Sequence, residues 1–350
     1  MATLGNTYLN LIDAMKASPD NKTIAAVAEL LALTNPILDD AITVEANSGT
    51  KHMHSIRTGL PSVAWGALYQ GVPQSKSSRQ TVEDTTGFLE GSMAVDTRLI
   101  ELFKSRASAL KMSEAMAFTE AMNQEMATGI FYHDTTATPE KFKGLGARYG
   151  TLNGGGAGNQ IVDAGGVGSD NASVWFVTWS EWATHLIHPE GTPIGIKREV
   201  NENQRVLDAL GNPYRADEET YRWHIGLSVR DWRYNARIAN IDMSDLQAGT
   251  VDIYKFMRSA YYKLHSRRMS RVGANIKNGD PTVPTSRIAI YMNRDVLEAM
   301  DVASNNNRGG VTDNFVRLTR AEVDGKEVMS YRGIPIRETD ALLNTEARVV

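Results

Sequence analysis

An alternating run at residues 221–230 is the feature that most constrains the fold of this chain. Apolar and polar side chains change places at every step, and the apolar members are Tyr221, Trp223, Ile225, Leu227 and Val229. A period of two predicts a β-strand with one buried face and one polar face. The polar face carries guanidinium groups, which need acceptors; it includes Arg222, and Arg233 and Arg237 follow the run. If a second copy of the chain supplies those acceptors, the chain is a building block and not a catalyst.

Composition narrows the class of protein. At 350 residues the chain is long enough for two or three domains, and its 42% hydrophobic and 22% charged residues are ordinary for a globular protein. The net charge of −4 argues against a general binder of nucleic acid or membrane surfaces, since those partners favour basic chains. The absence of cysteine excludes disulfides, thiolate catalysis and cysteine-ligated zinc or iron–sulfur sites.

Targeting and membrane signals are not indicated. The N-terminus has no basic segment followed by an apolar one, and no apolar run approaches the ~20 residues of a membrane span. We therefore expect a soluble protein, made in a cytosol, without a membrane partner.

Helical patterns flank an unusual stretch in the first third of the chain. Residues 6–34 predict two short helices that end before Pro36. Residues 96–130 predict one long helix with Asp96 as its N-cap. The methionines of this helix recur at helical spacing and are best interpreted as an adaptable core seam.

The stretch between these helices, residues 46–95, is rich in glycine, serine and threonine and poor in apolar residues. A compact domain rarely tolerates so long a segment with so little core, so the stretch is either disordered or an extended arm that orders against something else. Trp65 and Tyr69 favour the arm, because disordered segments are poor in aromatic residues. Lys76 and Arg79 are expected near its tip.

The rest of the chain predicts an alternation of strands and helices. Residues 134–171 are rich in loops, and residues 173–182 predict a strand buried on both faces within a longer β-ribbon, 173–242. The elements expected after it are a helix from Thr250 or Asp252 to about residue 272, a buried strand at 287–293 running into a helix, a hairpin with an Asp-Gly turn at 323–326, and a closing strand.

Motifs for chemistry have weak support. The glycines at 153–168 lack the Lys-Ser or Lys-Thr of a phosphate-binding loop and the helix that should follow it. His185 and His188 lack the HExxH pattern, so structural or surface histidines are favoured over a zinc site. His52 and His54 alternate and so share one face of a strand, with no partner evident. We predict no catalytic residue, no cofactor and no metal.

One charge run stands out. Seven lysines and arginines and no acidic residue occur between Tyr254 and Gly279. A solvated helix face beside acidic neighbours is the favoured interpretation, followed by a subunit contact and then by direct nucleic-acid binding, because the interleaved aromatic residues are few.

Six segments together resemble the major capsid proteins of tailed bacteriophages, whose fold is called the Hong Kong 97 type. They are PEKFKGL (139–145), NQIVDAGG (159–166), SVWFVTWSEWATHLIHPEGTPIG (173–195), WHIGLSVRDWRYNARIANID (223–242), IAIYMNRDVLEAM (288–300) and GIPIRETDALLNTEARV (333–349). The resemblance is to one podophage/myophage-type capsid family and covers nearly the full length. The segments at 223–242 and 333–349 are its most specific parts.

The resemblance implies an α+β fold of four parts. They are an N-terminal helical arm (1–45), an extended loop that lies over a neighbouring subunit (46–95), a peripheral domain with the long helix and the β-ribbon (96–249), and an axial domain (250–350). Because the ribbon precedes the strand-and-helix unit, we expect a permuted strand order with residues 221–242 outside the axial domain. The subunit-interface candidates are Trp65, Tyr69, Lys76, Arg79, Arg222, Arg233 and Arg237.

The implied function is self-assembly. Copies of the chain would form pentamers and hexamers of an icosahedral shell around phage double-stranded DNA, without sequence-specific DNA binding, in the cytoplasm of a host bacterium. Scaffolding, portal and decoration proteins are the other expected partners, and we predict no covalent cross-link. Two alternatives stay open: an encapsulin-like shell or other virion structural protein, and a soluble enzyme with a cleft near His185 and His188.

Overall fold

A computed structural model describes residues 33–69, 71–103, 107–208, 210–265, 287–305, 319–323 and 326–350. In chain order the strands are β1 Thr43–Glu45, β2 Lys51–Gly59, β3 Ser78–Asp96, β4 Ile161–Asp163, β5 Asn171–Trp179, β6 Thr184–His188, β7 Ile196–Leu207, β8 Pro213–Val229, β9 Ala236–Asp242, β10 Arg287–Met292, β11 Thr319–Val323, β12 Lys326–Tyr331 and β13 Ile334–Glu338. The α-helices are α1 Ile37–Asp40, α2 Thr97–Phe103, α3 Ala107–Tyr132, α4 Leu145–Arg148, α5 Met243–Gln247, α6 Ile253–Lys263 and α7 Arg294–Asn305. The helices predicted within residues 6–34, and the basic run beyond residue 265, fall almost wholly outside the described residues.

The chain divides into two compact units. Within the described residues, the smaller unit consists of Leu33, Phe88–Ala127 and Pro193–His224. The larger unit consists of Thr34–Gly87, Thr128–Thr192 and Ile225–Val350. Strands β3 and β8 and helix α3 contribute residues to both.

The smaller unit combines helix with an antiparallel ribbon. Strands β7 and β8 pair from Ile196 opposite Trp223 to Leu207 opposite Pro213. Asp96 caps α2 by accepting a hydrogen bond from the backbone N–H of Arg98 at 2.8 Å, as predicted. The predicted long helix is confirmed on both sides of residues 104–106, and a small apolar core packs around its beginning. That core consists of Met93, Val95, Leu99, Phe103, Ala107 and Leu110.

The larger unit is built around β5, which is buried along its whole length, as predicted for residues 173–182. Strands β9 and β10 pair with β5 in antiparallel orientation, one on either edge. The sheet continues from β10 through β13 and β12 to β11. Helices α6 and α7 place Met257 and Met300 in the same apolar core as Ile290 of β10. A strand buried on both faces needs such cover from helices as well as strand partners.

This sheet contains strands from both sides of the expected domain boundary at 249/250. Strand β9 comes from the predicted ribbon and β10 from the predicted axial domain, yet both pair with β5 and share one hydrophobic core with α6 and α7. The division into a peripheral domain (96–249) and an axial domain (250–350) stays a prediction. The expected permuted order, with 221–242 outside the axial domain, stays a prediction as well.

Two predicted elements after residue 249 are refined. Helix α6 begins after Asp252, whose side chain accepts from the backbone N–H of Tyr254 at 3.1 Å. The helix ends at Lys263, where Leu264 adopts an extended backbone with φ −60° and ψ 125°, and the predicted continuation over residues 266–272 lies outside the described residues. The predicted hairpin is confirmed by the pairing of Val323 with Lys326 across the two intervening residues.

The alternating run at residues 221–230, which includes the C-terminal part of β8, is more buried than its pattern predicts. From Ile225 to Val229 every residue is buried, so both faces are covered there. The polar Ser228 faces a carboxylate of β3 instead of solvent. No helix in the described part of the chain is long and apolar enough to cross a membrane.

Candidate functional site

An extended hairpin lies within residues 46–95, the stretch for which the sequence allowed either disorder or an extended arm. Strands β2 and β3 pair in antiparallel register from Lys51 opposite Thr85 to Gly59 opposite Ser78. We call these paired strands, β2 with residues 78–87 of β3, the arm base. Residues 60–77 between them, which we call the arm tip, have no regular secondary structure where the structure describes them.

The arm tip presents apolar side chains that touch almost nothing in their own chain. Trp65 and Tyr69 are 102% and 104% exposed, and Val63 and Leu68 are 93% and 90% exposed. Scattered exposed apolar residues are normal on a protein surface, but a run of them on one projection marks a site of interaction. The two aromatic interface candidates therefore lie where a partner can reach them.

Lys76 belongs to the arm tip and Arg79 to the arm base, and neither forms an ion pair with a carboxylate among the described residues. Lys76 and Arg79 are exposed, and Arg79 lies directly opposite Arg57 in the β2–β3 register. Like charges placed opposite each other across two strands are unfavourable. An acidic partner outside the chain would relieve this pair.

Two other candidates, Arg222 and Arg233, have carboxylate partners in their own chain. Arg222 forms an ion pair with Glu90, and both side chains stay more than a third exposed. The guanidinium of Arg233 donates to both oxygens of Asp231, at 2.9 and 2.6 Å. Asp231 also accepts from the backbone N–H of Arg233, which fixes the turn after β8.

Arg237 lies inside the larger unit, 5% exposed, where each of its three guanidinium nitrogens donates a hydrogen bond. Its guanidinium donates to Glu346 at 2.8 Å, to the Ser173 hydroxyl at 3.1 Å and to the Tyr149 carbonyl at 2.9 Å. It also lies 5.0 Å from the centroid of the Trp175 ring. These contacts remove the reason for expecting Arg237 at a subunit interface, because its acceptors come from its own unit.

The carboxylate of Glu346 also accepts a hydrogen bond from a tyrosine hydroxyl group. Tyr132 donates to Glu346 at 2.5 Å, and burial together with this negative charge raises the pKa of Tyr132 well above its usual range. The phenol is therefore held as a donor. Glu346 thereby connects the end of α3, β5, β9 and the C-terminal segment through one buried charge.

A second buried network was not found by sequence reasoning. Arg148 donates to Asp84 at 2.7 Å and to the Leu227 carbonyl at 2.9 Å, and the Ser228 hydroxyl donates to Asp84 at 2.8 Å. These bonds join the arm base to α4 and β8. The one available signal was a carboxylate in the middle of a strand whose neighbours are mostly hydroxyl residues, and it does not identify a partner.

The histidines noted in the sequence fall into one place. His52 and His54 share the buried face of β2, as predicted, and the ring of His185 on β6 lies 5.2 Å from that of His52. His188 ends the same strand, with its Nδ1 3.2 Å from the Pro189 carbonyl. Across the described residues, no group of histidine, aspartate and glutamate side chains is arranged to hold a metal ion.

A mixed sheet backed by helices, a long helix with an antiparallel ribbon, and a hairpin arm with an unpacked tip define a capsid protein of the Hong Kong 97 type. The family model described as "Major capsid protein GP7" matches residues 19–350. The chain belongs to this family of bacteriophage major capsid proteins.

The chain is also similar to solved structures. A chain in the structure of bacteriophage Epsilon15 is 32% identical, with a TM-score of 0.73 over 100% of this chain and 99% of that one. The capsid of a native GTA particle is 10% identical, with a TM-score of 0.41 over 66% of this chain and 99% of that one. The capsid of Myoviridae phage XM1 is 10% identical, with a TM-score of 0.42 over 64% and 98%. No curated protein matches the sequence.

Proposed function

We propose that copies of this chain assemble as pentamers and hexamers into an icosahedral shell around phage double-stranded DNA, and that the arm tip packs on a second copy. The observation that carries the proposal is the near-complete exposure of Trp65 and Tyr69 on a projection without a core of its own. Burying one large apolar side chain contributes about 1.5–3 kcal/mol. Two aromatic anchors repeated at every subunit are enough to bias assembly strongly, because closure of a shell multiplies each contact.

Charge supports the same role for the arm. Arg57 and Arg79 oppose each other, and the exposed Lys76 precedes Arg79 by three residues in the sequence. We infer that the surface receiving the arm tip carries carboxylates. Arg222 and Arg233 remain weaker members of the proposed interface, since each already has a carboxylate of its own chain.

In this proposal the arm is the extended loop of the fold. Helices α2 and α3 with the ribbon β7–β8 serve as the peripheral domain, and the sheet built on β5 with α6 and α7 serves as the axial domain. The role is structural and not catalytic. Assembly takes place in the host cytoplasm, with scaffolding, portal and decoration proteins as further partners, and the net charge of −4 suits a container that holds DNA without sequence-specific binding.

Removal of the two aromatic anchors tests the proposal. We expect the double variant Trp65→Ala/Tyr69→Ala, and separately a deletion of residues 60–77, to leave a folded subunit that yields few or no closed shells by negative-stain microscopy and size-exclusion chromatography. Val167→Ala is the matched control, because Val167 is also exposed (71%) but lies outside the arm. Normal shells from both arm variants would contradict the role of the arm tip.

The contents of the particles separate a capsid from a shell of the encapsulin kind. Particles purified from infected cells should contain double-stranded DNA. Particles that hold protein cargo and no DNA would favour the encapsulin-like alternative.

A further inference from the structure

Three buried histidines lie where β2 of the arm base meets β6, within the larger unit. His52 and His54 of β2 are 8% and 6% exposed, and His185 of β6 is fully buried. The rings of His52 and His185 meet edge to face at 5.2 Å, and those of His52 and His54 lie 6.4 Å apart. On the neighbouring strand of the arm base, Thr85 approaches β8 so closely that a Cβ at Gly226 would lie 2.7 Å from its carbonyl oxygen.

The carboxylate nearest to the histidines already accepts hydrogen bonds from other residues. Asp84, which lies opposite His52 in the hairpin register, accepts from Arg148 and Ser228, and its nearer oxygen is 3.9 Å from His54 Nδ1. That separation is too long for a hydrogen bond. Neither ring nitrogen of His54 has a hydrogen-bond partner within the described chain.

The charges that face the cluster come from every element packed around it. Asp84 of β3 and Glu181 in the turn before β6 are negative, and Arg148 of α4 and Arg230 after β8 are positive. The carbonyl of Ser180 also faces His185. Three protonated imidazoles would therefore join two guanidiniums against two carboxylates, in a space where charge is poorly solvated.

We propose that His52, His54 and His185 form an acid-sensitive latch that, together with the Asp84 bonds, holds the arm base against β6 and β8 while the rings are neutral, and that protonation of the rings favours its release. The latch is independent of what the arm tip binds. Release changes the direction in which the arm can project without breaking the β2–β3 hairpin itself.

The sign of the effect follows from burial. Burial is the largest cause that lowers the pKa of His52 and of His54 below the ordinary 6.5, and it lowers the pKa of His185 to about 4. In the released arm each ring regains its ordinary pKa and binds a proton first. Attachment is therefore complete above about pH 6.5 and weakens as the pH falls toward 4, by up to about tenfold per pH unit for each proton taken up.

Hydrogen–deuterium exchange on the full chain, as assembled particles, tests the latch. Protection factors corrected for intrinsic exchange would be measured between pH 7.5 and 4.5. We expect protection at residues 51–59 and 78–87 to fall below pH 6.5 while that of β5 stays constant. Equal behaviour of the arm base and β5 across this range would overturn the proposal.

Variants assign the effect to the histidines. His54→Gln should flatten the pH dependence of the arm base, whereas His224→Gln should leave it unchanged, since His224 lies on β8 outside the cluster. An unaltered profile in His54→Gln together with His52→Asn would also overturn the latch. If these variants lose protection at β5, and so fail to fold, the wild-type profile alone decides, and protection of the arm base that stays constant down to pH 4.5 would overturn the latch.

Discussion

Buried arginine–carboxylate pairs satisfy much of the polar chemistry of the larger unit. Arg237 with Glu346, and Arg148 with Asp84, each place a guanidinium against a carboxylate whose remaining oxygen accepts from a hydroxyl group. A pair of this kind adds little over an apolar substitute, but removal of one partner leaves a buried charge without compensation. Both pairs therefore fix the relative positions of segments that are distant in sequence.

The variant Glu346→Ala tests the pair formed by Arg237 and Glu346. We expect it to lower the free energy of unfolding by about 3–5 kcal/mol, because it strands the Arg237 guanidinium in the interior. The measurement is urea denaturation followed by tryptophan fluorescence, since Trp175 lies beside Arg237. The control is Lys51→Ala, which removes an ion pair with Glu83 whose side chains are 50% and 48% exposed and should cost about 0–1 kcal/mol. Equal losses in the two variants would contradict the buried role of Glu346.

Among the elements, the segment PEKFKGL shows how a short motif fastens a helix end. Phe142 packs on His133 with ring centroids 5.1 Å apart, and the backbone N–H of Gly144 donates to the His133 carbonyl at 2.8 Å. Leu145 is fully buried and begins α4. A Cβ at Gly144 would lie 2.7 Å from the carbonyl oxygen of Gly129, so the close approach to the last turn of α3 requires glycine.

Gly144→Ala should therefore destabilise the protein by about 1–3 kcal/mol, since the backbone atoms it meets cannot move independently. Thermal or urea unfolding provides the measurement. Gly71→Ala is the matched control, because no atom lies within 4 Å of the added Cβ, and it should stay within about 0.5 kcal/mol of the wild type. A neutral Gly144→Ala would show that α3 and α4 are not held at this distance.

For the whole molecule, the unassembled subunit leaves apolar surface exposed that assembly should cover. The chain has six tryptophans, and Trp65 is the one at 102% exposure, whereas Trp175 and Trp179 are buried. A long arm that buries few of its own apolar side chains favours a subunit whose packing is completed by its neighbours.

Assembly should accordingly shift tryptophan emission to shorter wavelength, and Trp65→Phe should remove most of that shift while still allowing shells to form. Fluorescence spectra of subunits and of purified shells give the comparison. Trp182→Phe is the control, since Trp182 is half exposed and is covered by Arg230 at 4.5 Å. A shift that persists in full without Trp65 would mean that the arm tip stays in water after assembly.

Individual elements show which patterns could be interpreted without a fold. The buried strand at 173–182, the long helix after Asp96 and the capped helix after Asp252 were predictable, because hydrophobic periodicity and capping are encoded within a few neighbouring residues. The end of α6 and the burial of the polar face near Ser228 were not, since both depend on what packs against them. The same holds for the Arg148–Asp84 and Arg237–Glu346 pairs, whose members are 64 and 109 residues apart along the chain.

The sequence alone determined the buried strand at 173–182, the long helix after Asp96 and the capsid family to which the chain belongs, because hydrophobic periodicity and specific segments such as 223–242 can be interpreted without knowledge of contacts. Only the tertiary structure decided that β9 and β10 pair with the same strand, that Arg237 is held inside its own unit, and that three histidines meet at the arm base. The physical reason is that strand pairing and buried charge are settled between residues far apart in sequence, where neither propensity nor spacing carries information.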